Sequence, residues 1–188
     1  MHEDRHYLEL ALAQAEEAGH EGSLPIGAVV VGPEGEVLSE GRNRIFSVGD
    51  PTCHAEIDAL RQAGPLLSTP QYSGRSTLYT TMEPCLMCTG AILLASIRRL
   101  VWLVDDTGYG ALRELREGVL YAELFARLTV AKASEPGLER RVCERLADWD
   151  RSRGRHDSRW AAELEALAGR AQPDIPTGER GVEGGRSR

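Results

Sequence analysis

The strongest constraint on this chain is the segment PCLMC at residues 84–88, which places two of its four cysteines three residues apart. Proline is favoured in the first turn of a helix, so Cys85 and Cys88 are predicted to lie one turn apart at a helix N-terminus. The positive end of the helix dipole stabilises thiolates there. Redox pairs of thioredoxin-like proteins have the same spacing, so residues elsewhere in the chain decide between a metal site and a redox site.

His54 and Glu56 lie about thirty residues upstream and are also predicted at a helix start. They favour the metal site, because a redox pair does not use them. His54, Cys85 and Cys88 supply one neutral nitrogen and two thiolates, which suit Zn2+ and leave the fourth tetrahedral position to water. Glu56 is placed to exchange protons with that water and is the candidate catalytic residue. A structural zinc site would need a fourth protein ligand, for which Cys143 is the only candidate.

The rest of the chain alternates helices and strands. Apolar residues at helical spacing predict helices at about residues 4–18, 53–63, 86–94, 112–116 and 138–149. Apolar runs bounded by turn residues predict strands at about residues 26–31, 37–41, 76–80, 100–104 and 128–131. The order of strand, buried helix and strand between residues 76 and 104 predicts a parallel crossover in an α/β fold.

Length and composition predict one compact domain over residues 1–150, because 188 residues with 41% hydrophobic side chains can bury a single core. Residues 151–188 are predicted to form a C-terminal extension, with a short helix at residues 161–170 and a disordered segment after it. The N-terminus lacks the basic start and apolar run of a signal peptide, and no segment reaches membrane-spanning length. We therefore expect a cytoplasmic protein.

The net charge of -7, from 22 basic and 29 acidic residues, argues against a nucleic-acid partner unless a local basic patch outweighs it. The only candidate patch consists of four arginines after residue 150: Arg151, Arg153, Arg155 and Arg159. A basic run near a disordered tail is usually only a solvated segment. We therefore expect a small-molecule substrate, with nucleic acid as the less favoured partner.

The segments HAE at residues 54–56 and PCLMC at residues 84–88 match the H-x-E and P-C-x-x-C signature of zinc deaminases. Together with PIGAVVV from Pro25, DPTCHAEIDALR from Asp50 and TLYTTMEPCLMCTGAI from Thr77, they resemble one branch of the cytidine deaminase-like superfamily. That branch contains fungal-type cytosine deaminases, bacterial guanine deaminases and tRNA adenosine deaminases. The resemblance covers roughly residues 5–150 and implies a three-layer α/β/α fold around a five-stranded mixed sheet, one zinc per subunit and a homodimer.

Five further residues are candidates for substrate binding. The resemblance implies that Asn43 holds the base, although a turn role also suits an asparagine in this loop. The backbone N–H of Ala55, between ligand and acid, is placed to meet a substrate carbonyl. Trp149 and Asp150 match the residues that close the pocket in fungal-type cytosine deaminases, but a tryptophan capping the core and a solvated aspartate explain them equally well. Glu83 resembles the guanine and tRNA adenosine deaminases, where its carboxylate would accept from an amino group or ring N–H.

These residues predict a zinc-dependent hydrolytic deaminase that releases ammonia from a free nucleobase or related heterocycle, either cytosine-like or guanine-like. A tRNA adenosine deaminase is the alternative, and it would require a basic face to hold phosphates. A zinc-stabilised binding module without catalysis is a more remote alternative, since it leaves Glu56 without a purpose.

Overall fold

The computed structural model describes residues 2–112, 121–155 and 158–170. The helices are α1 (His2–His20), α2 (Ala55–Leu67), α3 (Leu86–Leu94), α4 (Ala122–Phe125), α5 (Pro136–Ser152) and α6 (Arg159–Arg170). The strands are β1 (Gly27–Val31), β2 (Val37–Arg42), β3 (Thr77–Met82), β4 (Arg99–Val104) and β5 (Thr129–Lys132). Within the described part of the chain, every helix is too short or too polar to cross a membrane.

The strands form one five-stranded sheet in the order β2-β1-β3-β4-β5. β1 runs antiparallel to both β2 and β3. In contrast, β3, β4 and β5 run parallel to one another. The chain passes from β3 to β4 through α3, which confirms the predicted parallel crossover, and the predicted five-stranded mixed sheet is also confirmed.

Helices cover both faces of this sheet. β1 is buried along its whole length, with Val29 and Val31 in the core against α1 and α5, and Ala28 and Val30 in the core against α2 and α3. Successive side chains of a strand point to opposite faces, so a strand covered on both sides requires a continuous apolar run such as GAVVV. The predicted three-layer α/β/α fold is therefore confirmed.

Two helices approach the sheet closely at glycines. A Cβ built on Gly27 would lie 2.0 Å from the carbonyl oxygen of Ala11 in α1. A Cβ built on Gly41 would lie 2.3 Å from the backbone nitrogen of Ala59 in α2. A larger residue at either position would push its helix away from the sheet. The close approach at Gly41 is important for function because the N-terminus of α2 carries part of the site.

The bounds of α2 differ from the prediction. The helix begins at Ala55 rather than Cys53, because Cys53 donates its N–H to the carbonyl of Asp50 and so belongs to a turn. His54 is the N-cap residue and has extended backbone angles. At its other end the helix continues to Leu67, which is buried in the core on the α2 side.

The C-terminal helix α6 packs against α5. It contributes Ala161, Leu164 and Ala168 to the core that α1 and α5 share, and it confirms the helix predicted at residues 161–170. The domain boundary at residue 150 stays a prediction. The helix predicted at residues 112–116 and the segment after residue 170 fall mainly outside the described residues.

Candidate metal centre and active site

The three predicted metal ligands lie at the N-termini of two helices. His54 is the N-cap residue of α2, Cys85 is the N-cap residue of α3, and Cys88 lies in the first turn of α3. The sequence favours these positions because Pro84, which cannot donate an N–H, separates β3 from α3. Both helices begin at the same edge of the sheet, and the three side chains therefore meet there.

The spacing of the donor atoms fits zinc. Cys85 Sγ lies 3.7 Å from His54 Nδ1, and the donor atoms of His54, Cys85 and Cys88 all lie within 4.8 Å of one another. Tetrahedral zinc with ordinary Zn–S and Zn–N bonds would separate a sulfur and a nitrogen ligand by about 3.6 Å. No other group of three such side chains occurs in the described ranges. Cys143 is not part of the group, because it is buried in the core against α1.

Hydrogen bonding and burial give the two thiols different pKa values. The hydrogen bond with Cys88 lowers the pKa of Cys85 to about 4, so Cys85 is a thiolate at neutral pH. The same hydrogen bond, together with burial, raises the pKa of Cys88. The hydrogen bond with Cys85 raises the pKa of His54. Before any metal binds, the donor set thus pairs the Cys85 thiolate with a His54 that binds a proton more readily than a free imidazole, and metal binding would displace the protons from Cys88 and His54.

Glu56 lies beside the metal donors in the first turn of α2. Its side chain is buried and accepts a hydrogen bond from Thr80 Oγ1 at 3.3 Å. Burial raises the pKa of this carboxyl, and the Cys88 thiol is also within hydrogen-bond reach of it. A raised pKa suits a group that first takes and then returns a proton. The contact with Thr80 was not predicted, although Thr80 lies on the same face of β3 as the core residue Leu78.

Asn43 begins the loop that leads to His54. Its side chain is buried, and its Oδ1 accepts from the N–H of Ile45 at 3.2 Å, which is the turn role considered from the sequence. The next residue, Arg44, donates its N–H to the carbonyl of Cys53 at 2.9 Å. This bond closes the base of the loop, here called the Asn43 loop (residues 43–53), directly before the metal donor. A substrate contact for Asn43 stays a prediction.

Glu83 holds a second loop against the metal centre. Its Oε2 accepts from the N–H of Asp106 at 3.3 Å, and burial raises its pKa. In the same loop Gly110 forms an isolated β-bridge with Cys85. A Cβ on Gly110 would lie 2.5 Å from Glu83 Oε2 and 2.5 Å from the carbonyl oxygen of Asp106, so only glycine fits. The carboxylate thus contacts the loop, and its contact with substrate stays a prediction.

Trp149 and Asp150, at the end of α5, have different surroundings. Trp149 is half-buried, and its ring centroid lies 5.7 Å from that of Phe46 in the Asn43 loop. Asp150 is completely buried, so the alternative of a solvated aspartate is wrong. Its Oδ1 lies 3.4 Å from Arg155 Nη1, and its Oδ2 has no hydrogen-bond partner among the residues described.

Comparison with known proteins agrees with this geometry. The model of a family described as the zinc-binding region of cytidine and deoxycytidylate deaminases matches residues 1–104, more than half of the chain. The chain belongs to this deaminase family. The family match confirms the predicted zinc cofactor, and the donor group at residues 54, 85 and 88 could hold it.

Named relatives of the deaminase include several tRNA-specific adenosine deaminases. The protein from Haemophilus influenzae is 34% identical over 163 residues, which cover 77% of this chain and 94% of that protein. The protein from Agrobacterium fabrum is 43% identical over 111 residues, or 59% and 72% of the two chains. A tRNA(Ile)-lysidine synthase from Deinococcus radiodurans is 46% identical over 102 residues, which are 54% of this chain but only 17% of that protein.

Solved structures give the same fold. A structure from work on A-to-I editing by tRNA:A34 deaminases has a TM-score of 0.62 and 35% identity, and it covers 76% of this chain and 99% of that one. Guanine deaminase from Bacillus subtilis has a TM-score of 0.50 and 36% identity, covering 55% and 65%. These likenesses confirm that the deaminase has the cytidine deaminase-like fold.

The relatives contradict two predictions made from the sequence. A free nucleobase as the substrate is wrong, and so is the preference for a small-molecule partner over nucleic acid, because the relatives that the chain matches over 68–94% of their length are named tRNA-specific adenosine deaminases. The net charge was misleading because it sums over the whole chain, whereas a nucleic acid contacts only the surface around the site.

Proposed function

We propose that this protein is a zinc-dependent deaminase that converts adenosine to inosine in tRNA, at the wobble position of the anticodon. One observation carries the proposal: the zinc donors and the buried Glu56 occur in a chain that matches 94% of a tRNA-specific adenosine deaminase at 34% identity. The structural likeness to a tRNA:A34 deaminase supports the same substrate.

The described residues fit the roles that this reaction requires. His54, Cys85 and Cys88 would hold zinc, which when bound lowers the pKa of the attacking water. Glu56 takes a proton from the water and delivers it to N1 of the adenine ring, and it then carries the second proton, from the hydroxyl added at C6, to the departing amine. Its burial beside Cys88 keeps bulk water from competing for that proton. The products are inosine and ammonia.

Two groups at the edge of the site are proposed to orient the base. The N–H of Ala55, the first residue of α2, has no acceptor within its own helix and is free to donate to the base. Asn43 is buried at the start of the loop that ends directly before His54, and its carboxamide is the second group proposed to hold the base. Glu83, Trp149 and Asp150 remain candidates for the outer wall of the pocket.

The protein is also proposed to form a homodimer through α3. Leu86, Met87 and Leu94 are exposed on this helix, and Leu94 is 79% exposed. A helix that is apolar on its solvent face as well as its core face is suited to burial against a second copy. Leu94→Glu is expected to give monomers in sedimentation experiments, whereas an unchanged sedimentation coefficient would place the interface elsewhere.

The test of the function is inosine formation. Zinc-loaded protein is incubated with a tRNA transcript that has adenosine at the wobble position, and in parallel with free adenine, guanine, cytosine and adenosine. We expect inosine in the tRNA and no ammonia from the free bases. Deamination of a free base without inosine in tRNA would contradict the proposal. Failure of both, with zinc fully bound, would favour the binding module considered from the sequence.

A further inference from the structure

The four arginines of the predicted basic patch, Arg151, Arg153, Arg155 and Arg159, differ in what their guanidinium groups contact. Three of them face carboxylates: Arg151 with Glu165, Arg155 with Asp150, and Arg159 with Glu163. Arg153 instead lies over two aromatic rings, with its guanidinium carbon 4.2 Å from the centroid of Phe46 and 5.3 Å from that of Trp149. Among the described residues, no carboxylate lies within ion-pair distance of Arg153.

This arrangement leaves the guanidinium ready to bind an anion. Cation–π contacts with Phe46 and Trp149 hold the guanidinium over the two rings. The N–H donors of a guanidinium lie in the plane of the group, so a stacked arginine still directs them outward in a fixed fork. This fork matches two oxygens of a phosphate. Arg153 is exposed to solvent, so an incoming phosphate can reach it.

The Phe46–Trp149–Arg153 cluster joins the end of α5 to the Asn43 loop, which supplies Phe46 and leads to the metal centre. The N–H of Phe46 donates to Ser23 Oγ at 3.1 Å, which fixes the loop against the segment after α1. The loop base closes immediately before His54. A surface pocket of about 420 Å³ opens beside the cluster, and Gly19 and Gly22 form part of its wall. The pocket gives a nucleotide room next to the arginine.

We propose that Arg153, held against Phe46 and Trp149, binds a phosphodiester of the tRNA loop within the nucleotides that flank the target adenosine. This inference rests on the proposed function, because it takes RNA as the substrate. In a chain with a net charge of -7, this contact uses one oriented guanidinium rather than a broad basic face.

The first measurement is the affinity of zinc-loaded Glu56→Gln protein for a stem-loop RNA, with and without Arg153→Gln. Loss of one charge-assisted contact is expected to weaken binding about tenfold. The slope of log affinity against log salt concentration should fall by about 0.7, the value for one phosphate of a single strand. Arg159→Gln is the matched control, since its guanidinium already faces Glu163, and it should change the affinity less than twofold.

The second measurement identifies the phosphate. A set of stem-loops carries one neutral methylphosphonate each, at successive positions around the target adenosine. At the phosphate that Arg153 contacts, Arg153→Gln should no longer weaken binding, whereas the tenfold difference should remain at the other positions. A difference that persists at every flanking position would overturn the proposal. Equal affinities of the two proteins for unmodified RNA would overturn it as well.

A third measurement tests the contact between Phe46 and Arg153. Phe46→Leu removes a ring from beneath the guanidinium and should weaken RNA binding when Arg153 is present but not when it is Gln. Arg153→Lys should keep the salt slope while losing affinity, because lysine lacks the planar fork. Additive effects of Phe46→Leu and Arg153→Gln would count against the cluster. If wild-type protein forms inosine normally but these variants bind RNA like wild type, only this inference fails, and the proposed function stands.

Discussion

The metal centre and the Phe46–Trp149–Arg153 cluster both adjoin the Asn43 loop and are built in different ways. The metal centre consists of largely buried side chains at two helix N-termini, where low solvent access strengthens the contacts among Glu56, Cys85 and Cys88. In the cluster, Phe46 and Arg153 are exposed, and Arg153 has no carboxylate partner among the residues that the structure describes. Burial suits proton transfer, whereas exposure suits capture of a charged polymer. Substitutions in the metal centre should therefore affect the chemical step, and substitutions in the cluster should affect RNA binding.

The largest expected effect concerns Glu56 in the metal centre. Glu56→Gln should reduce turnover of tRNA by about 10²–10⁴-fold, because the amide cannot take and return the proton. Zinc content and RNA affinity should remain at wild-type values, since Glu56 is not one of the three metal donors. Single-turnover inosine formation and metal analysis on the same preparation measure both quantities. A variant that loses zinc along with activity would show that Glu56 supports the metal rather than the proton transfer.

A second prediction concerns how much the packing of α6 contributes to the free energy of unfolding. Leu164→Ala in α6 should lower the free energy of unfolding by about 2–3 kcal/mol, because Leu164 is 2% exposed and packs in the core shared by α1 and α5. Zinc affinity should not change, because the donors lie on the other face of the sheet. Urea unfolding followed by circular dichroism measures the first quantity. A change below about 0.5 kcal/mol would mean that the cooperative unit ends near residue 150, as the sequence predicted.

A third prediction concerns the loop that Glu83 holds against Cys85. Gly110→Ala should destabilise the protein by about 1–3 kcal/mol, because its Cβ would meet two oxygen atoms, each at 2.5 Å. The KM for tRNA should rise as the loop moves away from the metal centre. Gly108→Ala is the matched control in the same loop, since its Cβ would be 3.5 Å from the nearest atom, an ordinary contact. Equal stability and KM for the two variants would show that Glu83 does not fix the loop.

The smallest expected effect concerns the contact between Asp4 and Arg99, which belongs to neither the metal centre nor the cluster. The hydrogen bond with Arg99 holds the pKa of Asp4 below its ordinary value. A depressed pKa stabilises the fold above the unfolded pKa of about 3.9, and the contribution disappears as pH falls through the folded pKa. Asp4→Asn should therefore cost about 0.5–1 kcal/mol at pH 7, reduced by solvent screening, and less at pH 3, which lies below the unfolded pKa.

Thermal unfolding at pH 7 and pH 3 measures this difference. Glu3→Gln, an exposed neighbour on the same helix turn, serves as the control. A pH-independent effect of Asp4→Asn would assign the stabilisation to packing and not to charge. Neither variant should alter inosine formation or RNA affinity. A change in one of these two quantities would contradict the proposal that chemistry depends on the metal centre and RNA binding on the cluster.

The sequence predicted most of the fold because its strand and helix signals are local. The apolar run of β1 and the buried helix between β3 and β4 indicated a sheet covered on both faces, as observed. It failed at the start of α2, where a turn at Asp50 delays the helix by two residues. It also failed on the substrate, since total charge carries no information about which surface meets RNA.

The sequence by itself determined the metal centre. Cys85 and Cys88 meet because helix geometry brings residues three apart onto one side, and His54 carries the same helix-start pattern. Only the tertiary structure decided that Glu83 binds a loop rather than solvent, and that Arg153 lies over Phe46. The physical reason is distance along the chain. Arg153 and Phe46 are more than a hundred residues apart, and their contact exists only once both ends of the core have packed.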